Sequence, residues 1–180
     1  MPTHGPWTIE ERAKKYGSAF VDLFEDRVTR PDGSPGTYTT VTLKPGVAVL
    51  PIGAHGEVHL TRQFRYALGR ESIEVVAGAI EADEDPREAG RRELREELGL
   101  VAAEWHALGT IDLDTSIVRC RVRLFTAAAL RQTDVDPDPT EDIRPQTCSL
   151  ADAVRMVLEG EITHSPSCVL ILAAAQRHRS

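Results

Sequence analysis

No stretch of the 180-residue sequence approaches the roughly 18 consecutive apolar residues that a membrane-spanning helix needs. The opening MPTHGPWTIEERAKKYG likewise lacks the long apolar core of a secretory leader. A cytoplasmic protein without membrane attachment is therefore expected. Cysteine is scarce: Cys120, Cys148 and Cys168 are odd in number and too far apart for a CxxC motif. That spacing argues against a zinc site and a disulfide framework and suits a reducing compartment. Positive charge is short as well. A net charge of -7 gives no general pull toward a polyanion, so no nucleic-acid partner is expected. There is no GxSxG elbow and no GxxxxGK[ST] phosphate loop. His4, His55, His59, His106, His164 and His178 are scattered without ligand spacing and are expected mostly at the surface. Internal repeats and linkers are absent, and the length fits one domain that buries about 70% of its unfolded surface without staples.

What the chain does have is a run of acid between Gly78 and Leu100, GAIEADEDPREAGRRELREELGL. Pro86 suits the first turn of a helix, where its missing N–H costs nothing, and Asp83, Glu84 and Asp85 bring negative charge to that helix's positive end. Gly99 supplies the stop, because glycine accepts the left-handed conformation that closes helices. About three turns result. Ala89, Leu94 and Leu98 form an apolar stripe. Glu93, Glu96 and Glu97, three and four positions apart, share another face, where each like-charge pair costs roughly 0.2–0.5 kcal/mol. Arg92 and Arg95 lie near in sequence, but rotation carries Arg95 away from the Glu93–Glu97 edge. A hard divalent cation, Mg²⁺ or Mn²⁺, is the ligand such a carboxylate set fits.

The pattern Gly78, five residues, Glu84, seven residues, Arg92-Glu93-Leu94, one residue, Glu96-Glu97, one residue, Gly99-Leu100 resembles the signature of the Nudix hydrolases with every fixed position filled. The leader RQFRYALGRESIEVVAG resembles the ADP-ribose and nucleoside diphosphate sugar pyrophosphatase branch of that family. The resemblance implies an α/β fold, an α/β/α sandwich with a mixed central sheet and an N-terminal β-hairpin arm. It implies Glu93 and Glu97 as principal metal ligands, with Glu96 joining in some metal positions and the Ala77 carbonyl completing the shell. Glu84 and Arg92 would tie loop to helix by an ion pair, between the motif glycines Gly78 and Gly99. Arg65, the second arginine of the RQxR pattern, would reach a substrate phosphate. Glu74 and, more weakly, Arg62 are further candidate contacts, and the alternative is that Arg65 and Glu74 pair with each other or with solvent. TEDIR resembles a late loop that supplies the general base, which makes Glu141 the candidate. Pro139 stands where that branch commonly has an acid, so Asp138 or a helix glutamate is a possible substitute.

Taken in order, residues up to about Tyr16 are expected to hold little regular structure. Ala19–Thr29 and Thr37–Leu43 flank PDGSPG and read as a hairpin. By resemblance, residues 1–45 form an arm that builds a homodimer, with the hydrolase domain over 46–180. Val47–Ile52 and Glu57–Arg62 read as a second hairpin around GAHG. Trp105–Ile111 and Ile117–Ala129 read as strands. In the second, Val118, Cys120, Val122 and Leu124 face the core and Arg119, Arg121 and Arg123 the other side. RQTDVDPDPTED is expected as an irregular acidic loop, followed by helices over Leu150–Leu158 and Ser165–Gln176.

The activity implied is metal-dependent hydrolysis of a nucleoside diphosphate joined to a sugar, of the ADP-ribose or GDP-mannose type, to a nucleoside monophosphate and a sugar phosphate. Two marks of narrower specificity are missing: Thr115 stands where ADP-ribose hydrolases often have proline, and Tyr66 is the last tyrosine, which disfavours dinucleoside polyphosphates. Alternatives are a housecleaning hydrolase of nucleoside triphosphates or of dinucleotides such as NADH, and a Nudix-fold protein that binds nucleotide without cleaving it. Such binding proteins usually lose motif carboxylates, and this chain keeps all three.

Overall fold

The structure is a computed structural model that describes residues 3–134 and 142–177. In chain order the strands are β1 (Thr3–His4), β2 (Trp7–Gly17), β3 (Val21–Thr29), β4 (Pro35–Leu43), β5 (Gly46–Pro51), β6 (Glu57–Arg65), β7 (Arg70–Glu74) and β8 (Val76–Ala79). Helix α1 (Pro86–Leu98) comes next, then β9 (Leu100–Asp112), β10 (Val118–Arg119), β11 (Arg121–Gln132), β12 (Arg144–Ser149), α2 (Leu150–Leu158) and α3 (Ser165–Arg177). Two compact units emerge, Met1–Lys44 with Asp112–Arg121, and Pro45–Ile111 with Val122–Ser180.

The first unit is a sheet in the order β1-β2-β3-β4-β10. The expectation of little regular structure before Tyr16 is overturned, because Trp7–Gly17 is an eleven-residue strand paired antiparallel with β3. Its charges look unstructured in isolation but match the facing strand. Arg12 meets Asp26 at 2.6 Å, Lys14 meets Asp22 at 2.7 Å, Lys15 meets Glu25 at 2.9 Å, and Glu11 meets Arg27 at 3.0 Å. Opposite charges placed across strands support pairing.

The second unit contains a mixed sheet in the order β8-β5-β11-β9. Strand β5 runs antiparallel to β8 and parallel to β11. Because strand side chains alternate between faces, Val47 and Val49 pack with Leu94 and Leu98 of α1. Ala48 and Leu50, equally buried, turn to the other side, where α3 covers β5. This is an α/β/α sandwich. A second sheet, β12-β6-β7, carries Arg62, Arg65 and Glu74.

Several boundaries differ from expectation. The GAHG turn is formed, closed by the isolated Ile52–Val58 bridge just past β5, but β5 and β6 belong to different sheets. Strand β9 begins at Leu100 rather than Trp105. The strand expected over Ile117–Ala129 breaks at Cys120, because Val118 and Arg119 pair with β4 whereas Val122 onward pairs with β5. Arg131 and Gln132 continue β11 instead of opening the acidic loop, whose residues 135–141 lie outside the described residues. Strand β12 was not expected at all. Its Pro145 is tolerated because β12 is an edge strand, where one missing N–H breaks no central ladder.

Candidate active site

Helix α1 begins where Asp85 accepts hydrogen bonds from the backbone N–H groups of Arg87 at 2.9 Å and Glu88 at 3.4 Å. It ends at Gly99, whose φ of 62° lets its N–H return to the carbonyls of Arg95 and Leu94. Ala89, Gly90, Leu94 and Leu98 bury one side against the sheet. That packing fixes the helix rotation and therefore the direction of the glutamates. Glu97 is carried into the interior, 8% exposed, and its Oε1 accepts the Ala77 N–H at 3.3 Å. Glu93 lies against Gly78: a Cβ added there would fall 1.9 Å from Glu93 Oε1. Glu93 and Glu97 thus approach adjacent residues of β8, Gly78 and Ala77 respectively, and the Ala77 carbonyl belongs to the same strand.

Arg92 is the hub of the acidic face. Its Nε and Nη2 donate to the two oxygens of Glu84 at 3.0 and 3.1 Å, and Nη2 also donates to the Ala79 carbonyl at 2.9 Å. Its Nη1 donates to Glu93 at 2.6 Å and Glu96 at 3.3 Å. The bond to Glu84 raises the Arg92 pKa most; desolvation opposes it, and the Glu93 charge adds to the rise. The same bond holds Glu84 below its ordinary value, helped by the Glu81 N–H. A guanidinium fork is suited to this role because it serves several carboxylates in one plane. Arginine therefore answers more of the acidic face than the helical spacing suggested.

Arg65, opposite Arg70 in the β6–β7 register, reaches along the pair to Glu74, which lies opposite Thr61. Arg65 Nε and Nη2 donate to the two Glu74 oxygens at 3.0 and 2.6 Å. Glu74 is 3% exposed. Burial works to raise its pKa, but the Arg65 bond, the nearby His164 and Arg65 charges and the Ser72 hydroxyl together bring it below the ordinary value. The mutual pairing left open by the sequence is thus what the structure contains. Arg62 lies apart, donating to Gln146 at 3.0 and 3.1 Å and to Glu71 at 3.4 Å. Glu141 falls outside the described residues. His164, expected at the surface, instead stands 3.6 Å from Glu74. Nothing local marks it, because its partners come from β7 and the start of α3.

Among the described residues, no three His, Cys, Asp or Glu side chains are gathered as a metal-holding group. The donor set still fits a hard cation: carboxylates at 93, 96 and 97 beside a backbone carbonyl are all oxygen ligands. The missing Cβ at Gly78 is the space in which the Glu93 carboxylate lies. Gly78→Ala is expected to push Glu93 off this backbone, lowering kcat at least about 10²-fold while unfolding stays cooperative. Steady-state turnover with thermal melts checks this, and an alanine variant with full activity would contradict it.

The chain resembles known proteins over most of its length. The chain is 32% identical over 177 residues to an ADP-ribose pyrophosphatase of Mycobacterium tuberculosis (strain ATCC 25618 / H37Rv), covering 96% of this chain and 84% of that protein. It is 27% identical over 149 residues to an ADP-ribose pyrophosphatase of Bacillus subtilis (strain 168), covering 82% and 80%. A crystal structure of an ADP compounds hydrolase superposes with a TM-score of 0.84 over 99% of this chain and 97% of that one, at 16% identity, and shares its fold. Residues 42–167 match the NUDIX domain, and with the glutamates of α1 set against Ala77 and Gly78 the chain belongs to the NUDIX domain family of hydrolases.

Proposed function

We propose that the protein hydrolyses the diphosphate of ADP-ribose or a related nucleoside diphosphate sugar, such as GDP-mannose, to a nucleoside monophosphate and a sugar phosphate. The observation that carries this reading is the approach of Glu93 and Glu97 to the Ala77–Gly78 backbone, in a chain that spans most of two relatives named ADP-ribose pyrophosphatase. Glu93, Glu96 and Glu97, with the Ala77 carbonyl, would hold Mg²⁺ or Mn²⁺. A divalent ion there supplies charge withdrawal from phosphoryl oxygens and a lowered pKa for water. Arg65, paired with Glu74, would reach a substrate phosphate, and Arg62 is a weaker contact. Glu141 takes the proton of the attacking water, with Asp138 or a helix glutamate as substitute. The water oxygen bonds to one phosphorus while the bridging oxygen leaves with the other phosphate. Glu84 and Arg92 keep the loop and helix together.

By resemblance, the arm over residues 1–45 makes the protein a homodimer, and we place it in the cytoplasm. No helix among the described residues is long and apolar enough to cross a membrane. The test is hydrolysis of ADP-ribose, GDP-mannose, UDP-glucose, NADH, diadenosine polyphosphates and nucleoside triphosphates, each with and without Mg²⁺. Magnesium-dependent release of sugar phosphate is the expected result. Turnover of triphosphates or NADH alone would move the chain to a housecleaning role, and binding without turnover to a nucleotide-binding one.

A further inference from the structure

The buried carboxylate of Glu74 has a second neighbour on its inner side. His164 immediately precedes α3, and its carbonyl accepts the Cys168 N–H at 3.0 Å, in the helix's first turn. Its Nδ1 stands 2.8 Å from Ser167 Oγ and 3.6 Å from Glu74 Oε2. Ser167 is fully buried, and its Oγ accepts the N–H of Val75, the residue after Glu74, at 2.9 Å. Beside this, Arg70 donates to Thr163 Oγ1 at 2.8 Å. Ser167 thus fixes the backbone just after β7, 92 residues away in sequence, and His164, one turn earlier, sets its ring beside the Glu74 carboxylate. Glu74 in turn grips Arg65 by both of its oxygens.

We infer that His164 is a positioning residue that, together with Ser167, locks the Glu74 carboxylate in the plane that aims the Arg65 guanidinium at a substrate phosphate. This rests on the role proposed above for Arg65. A bidentate arginine–carboxylate pair has one rotational freedom left, twist about the carboxylate's own Cγ–Cδ bond. The Arg65 side chain is 37% exposed and the Glu74 side chain 3%, so the buried end sets the orientation and the exposed end delivers it. The imidazole stands beside Oε2, the same oxygen that Arg65 Nη2 holds at 2.6 Å. Burial lowers the His164 pKa, with the Glu74 charge raising it and Arg65 lowering it, which favours the neutral ring around pH 7. A neutral ring, with its Nδ1 engaged by Ser167 Oγ, packs beside the carboxylate and limits its twist without drawing Glu74 away from its arginine.

The experiment compares wild type with His164→Ala, His164→Asn and His164→Gln. Asparagine places a polar atom where Nδ1 stands; glutamine reaches past it to the Nε2 position. Two readouts are taken. The first is steady-state hydrolysis of ADP-ribose with Mg²⁺: His164→Ala should raise KM about 10-fold with kcat within twofold, asparagine should restore it and glutamine should not. The second needs no turnover. The Arg65 Nε–H resonance should exchange with solvent about 10-fold faster in His164→Ala and return toward the wild-type rate in His164→Asn. An unchanged exchange rate in a folded alanine variant overturns the inference, as does a loss confined to kcat or equal rescue by asparagine and glutamine. Wild-type protein that hydrolyses neither ADP-ribose nor any other nucleoside diphosphate sugar of the panel overturns the proposed function instead, while the exchange measurement still decides the role of His164.

Discussion

Glu97→Gln is expected to abolish metal-dependent turnover and leave the protein folded. Glu97 is 8% exposed at the inner edge of α1, and its Oε1 accepts the Ala77 N–H. A glutamine amide oxygen can accept the same bond at the same length of side chain, so packing and backbone are preserved. What is lost is negative charge where a divalent ion would be held. The charge stabilisation such an ion gives is worth several kcal/mol, and each ~1.4 kcal/mol is a factor of ten in rate, so kcat should fall on the order of 10³-fold or more. Magnesium titration of ADP-ribose hydrolysis, with circular dichroism as the control for folding, measures both halves. A glutamine variant that keeps wild-type kcat would remove Glu97 from the chemistry.

Arg92→Ala should act on stability and site together. The guanidinium joins Glu84 in the loop, the Ala79 carbonyl at the end of β8, and Glu93 and Glu96 on the helix. The Arg92 side chain is only 29% exposed and its partners Glu84 and Glu93 are 19% and 13% exposed. Removing one member leaves carboxylates crowded and poorly solvated, a loss of about 3 kcal/mol, or roughly 10 °C in melting temperature for a chain of this size. Mg²⁺ affinity should fall about 10- to 100-fold, as when a group that orients metal ligands is lost. The stability difference has a pH signature. Glu84 titrates lower in the folded protein than its ordinary value of 4.5 because Arg92 binds its charged form. The folded state therefore takes up fewer protons than the unfolded one, the stabilisation is complete above that value, and it is lost as pH falls through the lower folded one. Wild type and Arg92→Ala should converge in acid. Arg92→Lys, with charge but no fork, should recover less than half of the neutral-pH loss. Urea unfolding across pH 3 to 7 checks this, and a variant within about 0.5 kcal/mol of wild type at pH 7 would contradict it.

The sequence by itself determined helix α1, to which the proposed chemistry is assigned, because everything that specifies it is local. The cap at Asp85, Pro86 at the first turn, the left-handed stop at Gly99 and the three- and four-residue spacing of Glu93, Glu96 and Glu97 need no knowledge of distant chain. The same holds for α2 and α3 and for the apolar run of β5. Tertiary structure alone decided what depends on partners far away. Residues 7–17 read as irregular until β3 sets acids opposite their cations. Strand β12 exists because β6 offers it an edge. Whether Arg65 met a carboxylate or solvent turned on β7, and the place of His164 turned on α3 packing against the end of that strand. Helical periodicity is written in neighbouring residues, whereas strand pairing and buried ion pairs are contacts between segments whose separation along the chain carries no record of their meeting in space.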